Sequence, residues 1–206
     1  RYLTPDEEQR LRQALAERDR IAAEERRSAN EWRRQRGREL MPEITGYCDH
    51  LTPMVLLSIN TGLRQGELFS ATWEQVDLER RTITVLASHA KGNATRVIPL
   101  NDEAMAVLRA IKPEKATGLL FKSPKTGEQF DNIKKAWAEI TKKADLQGVR
   151  WHDLRHHFAS TLVMRGVSLF VVQKLLGHAS PRMTMRYGRL APGVLADAVA
   201  VLGGTK

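Results

Sequence analysis

Two short runs of β-branched residues interrupt a chain whose other apolar segments have helical spacing. The runs are 82–86 (TITVL) and 95–99 (TRVIP), and the stretch between them is polar and contains a glycine. β-Branched residues favour strands, and a polar link between two such runs is typical of a hairpin. The segment Gly118–Phe121 is the candidate for a short third strand. The pattern predicts an α+β fold, predominantly helical, with one small three-stranded antiparallel sheet against a helical core.

Helix signals fill most of the remaining chain. Thr4 and Pro5, followed by three acidic residues, favour a helix start. Leu154, Phe158 and Leu162 recur every four residues, which is typical of an amphipathic helix. Similar caps and spacings predict helices at 53–61, 65–73, 102–112, 133–144, 152–165, 169–176 and 194–202, with a turn at 77–81.

The length of 206 residues suits one domain with a real core. Residues 17–39 stand apart, because charged side chains dominate them and few large apolar residues occur there. Such a segment cannot bury a wide face. It is either a solvated helical extension or insertion, or an arm that touches DNA or a partner. We therefore expect a single domain over 1–206 that carries this charged segment.

The charge balance is basic, with 33 Lys and Arg against 24 Asp and Glu and a formal net charge of +9. A phosphate-binding surface needs such an excess, but a merely solvated surface also has it. The single cysteine, Cys48, cannot form an internal disulfide, and no pair of Cys or His residues has the spacing of a structural zinc site. Because the sequence has no long apolar run and no signal-peptide core, it predicts a soluble, cytoplasmic protein without a membrane role.

Four short segments carry residues that could do chemistry. They are 61–68 (TGLRQGEL), 152–157 (HDLRHH), 175–178 (LLGH) and 185–188 (MRYG). Each has an ordinary interpretation when it is taken alone. Arg64 could form a surface ion pair, His178 could interact with a helix C-terminus, and Tyr187 could be a half-buried packing residue.

Taken together and in order, these segments resemble the signature of the tyrosine recombinases, the phage integrase family. That signature has an arginine in T-G-L-R-x-G-E-L, a lysine in a β-hairpin, H-x-L-R, L-G-H and then a tyrosine. The likeness runs from about Leu51 to Leu202. It implies the catalytic domain of a site-specific DNA recombinase, an integrase that cleaves and rejoins strands through a 3′-phosphotyrosyl intermediate.

The resemblance also implies a role for each matching residue. Tyr187 corresponds to the nucleophile, and Lys91 to the hairpin lysine that protonates the leaving oxygen. Four residues correspond to groups that bind phosphate or handle protons: Arg64, His152, Arg155 and His178. Contacts with DNA are expected from Arg64, Lys91 and Arg155. Glu67 and Asp153 match acidic positions that are expected to hold neighbouring arginine and histidine side chains.

The expected chemistry explains why the set needs two arginines. Transfer of a phosphodiester spreads negative charge over oxygen atoms, and guanidinium groups stay charged and can contact two oxygens at once. The sequence has no cluster of carboxylates at metal spacing. The arginine pair would then replace the metal ions that many phosphoryl-transfer enzymes use, so we expect no metal. The phosphotyrosyl link would conserve the energy of the broken phosphodiester bond, so we expect no ATP or other cofactor.

The implied partner is double-stranded DNA. Members of the family work as homotetramers on DNA and often exchange the C-terminal helix, here 194–202. The resemblance therefore implies a homotetramer on DNA. It is also consistent with a monomer in the absence of DNA and with accessory DNA-bending proteins as partners. The family's N-terminal DNA-binding domain is expected to be absent from this chain. Two alternatives stay open: a type IB topoisomerase, which the short distance from Gly177 to Tyr187 disfavours, and an inactive DNA-binding remnant. Gly188 and Arg189 after the tyrosine depart from the family pattern.

Overall fold

The computed structural model describes residues 1–87 and 94–191. Its α-helices in chain order are α1 (Pro5–Arg34), α2 (Leu51–Thr61), α3 (Gln65–Ser70), α4 (Asp102–Ile111), α5 (Lys134–Lys143), α6 (His152–Met164), α7 (Leu169–Leu176) and α8 (Pro181–Met185). Its strands are β1 (Val76–Asp77), β2 (Thr82–Val85) and β3 (Arg96–Pro99), and short 3-10 turns lie at Trp73–Gln75 and Gly188–Leu190. The predicted fold class, mostly helical with one small antiparallel sheet, is confirmed.

The sheet has the order β1-β2-β3, and both pairings are antiparallel. The predicted hairpin is present as β2 and β3, in which Ile83 pairs with Ile98. The predicted third strand was wrong: it is β1, whereas Gly118–Phe121 forms only an isolated bridge, Thr72 to Leu119. The reason is local, because the Leu120 N–H donates to the Ala71 carbonyl and so pairs this segment with the chain before β1.

Helix α1 begins with a capping box, in which Thr4 and Glu7 each accept a hydrogen bond from the backbone N–H of the other. It continues to Arg34 and so includes most of the charged segment 17–39. The two ring nitrogens of His157 on α6 lie 3.3 Å from the Leu3 carbonyl oxygen and 3.1 Å from the Glu8 carboxylate. These contacts hold the start of α1 against α6.

The core is centred on α2, which packs against α4 and α6. Helix α2 ends at Gly62, whose φ of 63° is in the left-handed region. A Cβ at this glycine would lie 2.4 Å from Phe158 Cδ1. Only glycine allows this close approach of the α2 end to α6, and the approach brings the loop before α3 next to the N-terminal turn of α6.

A second hydrophobic cluster lies between α6 and α7 and includes Ala159, Val163, Val172, Leu176 and the ring of Tyr187. The tyrosine is therefore a packing residue as well as a candidate nucleophile. The predicted helix 194–202 and the hairpin residue Lys91 lie outside the described residues. In the described part of the chain, no helix combines the length and the apolar character needed to span a membrane.

Candidate active site

Five of the six predicted catalytic residues line one cleft of about 420 Å³: Arg64, His152, Arg155, His178 and Tyr187. His156, Arg182 and Arg186 line it too, and none of its described lining residues is a carboxylate. A cleft whose charged lining residues are arginines, without a carboxylate among the described ones, attracts anions. The sixth predicted residue, Lys91, lies outside the described residues, between strands β2 and β3.

Arg64 is fixed at the point where the chain enters α3. It is the N-cap residue of that helix, and its backbone N–H donates to Glu67 at 2.8 Å. Its guanidinium Nη1 donates to the same carboxylate at 2.7 Å. Two bonds to one side chain hold the guanidinium at the cleft instead of along a helix face.

Glu67 is almost fully buried and also binds a residue that the sequence did not single out, Arg96 on β3. The two terminal nitrogens of Arg96 donate to the Glu67 carboxylate at 3.0 and 2.6 Å. Burial by itself would raise the pKa of Glu67, but the bonds from Arg96 and Arg64 outweigh it and lower the pKa to about 2. The carboxylate therefore stays charged.

Arg96 has a signal in the sequence. Residues at alternate positions of a strand share a face, so Arg96 lies on the same side as the core residue Ile98. An arginine on the inner face of a strand needs a buried acceptor. The family signature includes the hairpin lysine but not this arginine.

Arg155 lies on α6 and is 3% exposed. Its Nη1 donates to the Gly62 carbonyl at 2.7 Å, and its Nη2 donates to the Leu176 carbonyl. Burial lowers its pKa to about 9, and the nearby charge of Arg64 acts in the same direction. The side chain is still a cation at neutral pH. Its hydrogen-bond partners are neutral carbonyl groups, and the Glu67 carboxylate lies 3.9 Å away, so an anion in the cleft would stabilise the cation further.

The two predicted histidines are neutral at neutral pH. Burial and the charge of Arg155 lower the pKa of His152. The same causes lower the pKa of His178 to about 4. His178 follows Gly177, the left-handed cap of α7, and its Nδ1 lies 2.8 Å from Thr184 Oγ1. A neutral ring has one donor and one acceptor nitrogen, and in His178 the contact with Thr184 leaves Nε2 to serve the cleft.

Tyr187 makes a contact that the sequence did not predict: its hydroxyl lies 2.6 Å from Nδ1 of His156. His156 is one helical turn beyond His152, and the two rings meet edge to face at 4.8 Å. The sequence contains a signal for His156, because residues four apart share a helix face and His156 is four residues after the predicted His152. Burial raises the pKa of the Tyr187 phenol, although the charges of Arg186 and Arg155 oppose this rise.

Asp153 is not bonded to His152 or Arg155 in the described structure. Its Oδ2 accepts the backbone N–H of Arg150 at 2.8 Å, and the Arg150 guanidinium lies 3.5 Å from its Oδ1. The expectation was that this carboxylate would hold neighbouring arginine and histidine side chains, and in the described structure the side chain that it pairs with is that of Arg150. Asp153 instead fixes the backbone turn that starts α6, because its carboxylate faces the backbone immediately before the helix.

Comparison with known proteins gives consistent matches. Residues 39–193 match the phage integrase family. The integrase of Salmonella phage P22 is 31% identical over 163 residues, which cover 71% of this chain and 41% of that protein. The chain spans about half the length of the curated relatives it matches, for example 52% of the tyrosine recombinase XerA of Pyrococcus furiosus and 39% of the integrase of Haemophilus phage HP1.

Two solved structures share the fold. The crystal structure of XerA recombinase superimposes with a TM-score of 0.67 at 25% identity, covering 100% of this chain and 65% of that chain. The catalytic domain of bacteriophage HP1 integrase superimposes with a TM-score of 0.57 at 29% identity, covering 72% of this chain and 79% of that chain. Since the family match covers well over half of the residues and includes the whole described cleft, the chain belongs to the phage integrase family.

Proposed function

We propose that this chain is the catalytic part of a site-specific DNA recombinase, which breaks and rejoins DNA through a covalent 3′-phosphotyrosyl link to Tyr187. One observation carries the proposal: Tyr187, Arg64 and Arg155 line the same cleft. A phenol beside two fixed cations suits attack on a phosphodiester, because the cations stabilise the charge that develops on the phosphate oxygens. The substrate would be double-stranded DNA.

In this proposal the arginines bind the scissile phosphate. Arg64 is held by Glu67, and Arg155 by two backbone carbonyls, so both cations are positioned before DNA arrives. Such positioning lowers the reorganisation needed in the transition state. His152 and His178 would donate hydrogen bonds to the phosphate oxygens, and Arg182 and Arg186 at the rim of the cleft would contact neighbouring phosphates.

His156 would accept the proton of the nucleophile. A phenol with an ordinary pKa near 10 keeps its proton at neutral pH, and burial of Tyr187 strengthens this tendency. Burial and the nearby His152 and Arg186 lower the pKa of His156 to about 4, so its ring is neutral at pH 7. With its proton on Nε2, the neutral ring has a lone pair on Nδ1, 2.6 Å from the hydroxyl.

The proposed step forms one bond at phosphorus and breaks another. The Tyr187 proton moves to Nδ1 of His156, a bond forms between the phenol oxygen and phosphorus, and the bond from phosphorus to the 5′ oxygen breaks. Lys91, outside the described residues, would supply the proton to that oxygen. Reversal by a 5′ hydroxyl of another strand completes the exchange, and no metal or other cofactor takes part.

The names of the similar proteins, an integrase and recombinases, support exchange of strands as the outcome. We further propose that the chain acts on DNA in the cytoplasm as a homotetramer, with accessory DNA-bending proteins as additional partners. Arg64, Lys91 and Arg155 would be its central DNA contacts.

Replacement of Tyr187 by phenylalanine tests the proposal. The wild type, incubated with a nicked duplex that carries a recombination site, should form a protein–DNA adduct that survives denaturation. Tyr187→Phe keeps the packing of the ring and should retain DNA affinity, yet form no adduct. An adduct of normal yield in this variant would remove Tyr187 from the role of nucleophile.

A further inference from the structure

The far end of α1 carries a fixed group of arginines that the proposed chemistry does not use. Residues 26–39 contain six arginines and two glutamates, a net charge of +4 within the +9 of the whole chain. Helix α1 has 30 residues, which corresponds to about 45 Å at a rise of about 1.5 Å per residue. Its other end adjoins the site, because Tyr2 lines a small cavity with His156 and Tyr187.

This end of the helix is a built structure. Asn30 is 2% exposed and exchanges two hydrogen bonds with the backbone of Met41, at 2.8 and 2.9 Å. Arg33 donates to the Glu39 carbonyl at 2.9 Å, and Arg26 donates to the Pro42 carbonyl at 2.6 Å. These four hydrogen bonds tie residues 39–42 to α1, and so they also fix the turn that joins the end of α1 to these residues.

Three arginines at this end face solvent without a carboxylate partner. Arg34 is paired with Glu31. Within residues 1–87 and 94–191, no salt bridge joins Arg27, Arg36 or Arg38 to an acidic group. We call these three arginines together with Trp32 the arginine tip.

Trp32 orders two of these cations. Its ring is 45% exposed, and the guanidinium carbons of Arg36 and Arg38 lie 4.3 and 4.9 Å from the ring centroid. An arginine side chain in solvent is otherwise free to rotate, and ordering it on binding costs conformational entropy. Stacking on an aromatic ring reduces that cost. Nη1 of Arg36 also donates to the Trp32 carbonyl at 3.3 Å, and the remaining N–H groups can reach an acceptor.

We propose that the arginine tip binds the phosphate backbone of DNA flanking the recombination site. This inference rests on the proposed function, since DNA held in the cleft supplies the phosphates. The guanidinium groups of Arg36 and Arg38 lie over the same ring without a carboxylate partner among the described residues, so they repel one another, and a polyanion offsets that repulsion. The length of α1 corresponds to about 13 base pairs at about 3.4 Å each, so the tip would contact DNA up to about 13 base pairs from the cleavage point.

The test removes the tip charges and measures binding as a function of salt. The variant Arg27→Ala/Arg36→Ala/Arg38→Ala is compared with Arg80→Ala/Arg109→Ala/Lys115→Ala, which removes the same charge from exposed residues that do not line the cleft. Each protein is titrated with a 40-base-pair duplex that contains the recombination site, at several salt concentrations. Covalent adduct formation is measured separately, at saturating DNA.

The tip variant should bind about tenfold or more weakly, and the slope of log K against log salt should fall by about 2–3, close to one unit for each lost phosphate contact. Its adduct yield at saturating DNA should equal that of the wild type. Trp32→Leu, which keeps every charge, should show a smaller loss of affinity. The control variant should change affinity by less than about threefold, as expected for charges without a phosphate contact.

Equal losses in the tip and control variants would reduce the effect to net charge and overturn the proposal, as would an unchanged slope in the tip variant. A change in oligomeric state with unchanged DNA affinity would also overturn it and would point to an acidic protein surface. A failure of the proposed function would give a different result. The wild type would then form no Tyr187 adduct, while the contribution of the tip to equilibrium DNA binding would still be measurable.

Discussion

The buried carboxylate of Glu67 accepts both terminal nitrogens of Arg96, at 3.0 and 2.6 Å, and this pair links the sheet to the arginine cleft. The same carboxylate holds Arg64 and lies 3.9 Å from Arg155. A single acidic group therefore holds cations from a loop and a strand and lies close to a third cation on a helix. Its loss should affect both folding and chemistry, and these effects can be separated.

Arg96→Met should lower the free energy of unfolding by about 3–5 kcal/mol, because it leaves the Glu67 charge buried without its main partner. The double variant Glu67→Gln/Arg96→Met should recover part of that loss. Arg81→Met is the matched control, since Arg81 forms an exposed pair with Asp102 and should cost about 1 kcal/mol or less. Urea denaturation measures all three, and equal losses for Arg96→Met and Arg81→Met would contradict the buried-pair interpretation.

Glu67 should also shape the acid sensitivity of the fold. Burial would raise its pKa, but the bonds from Arg96 and Arg64 bring it from 4.5 down to about 2 in the folded protein. A carboxyl group with a lowered folded-state pKa stabilises the fold above its unfolded pKa, and that stabilisation is lost as the pH falls toward 2. The free energy of unfolding should therefore fall more steeply between pH 4.5 and 2 in the wild type than in Glu67→Gln. Parallel curves would show that Glu67 titrates normally.

The two cleft arginines should matter mainly for the rate of cleavage. Arg64→Ala should slow adduct formation by about 2–4 kcal/mol of activation free energy, which is typical for loss of one charge-stabilising donor. Arg155→Lys keeps the charge but loses the guanidinium geometry, and it should also slow the step. Single-turnover assays at saturating DNA measure both effects. A wild-type rate in either variant would remove that arginine from the site.

His156 should act on the attacking oxygen and not on the leaving oxygen. His156→Asn keeps an acceptor but not a base, and it should slow adduct formation by about 10²–10⁴-fold. A substrate with sulfur at the 5′ bridging position needs no acid for its leaving group, so it should not restore the rate of this variant. Added imidazole should partly restore His156→Ala.

His157→Gln is the control for the histidine variants, because His157 contacts Leu3 and Glu8 and lies outside the cleft. His157→Gln should lower the free energy of unfolding and leave the rate of adduct formation by the folded protein near that of the wild type. Full activity of His156→Asn, or full rescue of it by the sulfur substrate, would assign the role of base to another group.

Much of the molecule could be predicted from local patterns. Caps and periodicity located most helices, as at Thr4 and around Leu154, because those signals lie within a few residues. The third strand was misassigned because the β1 segment is only two residues long, and its pairing with β2 depends on the chain path after α3. Arg96 is 29 residues from Glu67, and His156 is 31 residues from Tyr187. Local patterns mark Arg96 as facing inward and place His156 beside His152, but they do not show which distant residue each one contacts.

The position of Tyr187 has one more consequence. Its ring is 5% exposed and fills the cluster between α6 and α7, so a nucleophile that swung far out to reach DNA would leave a void of aromatic size. Emptying such a space costs about 3–5 kcal/mol when a large side chain is removed. In the proposed reaction the phenol would therefore attack from the position that it holds beside His156, while its ring stays packed between α6 and α7.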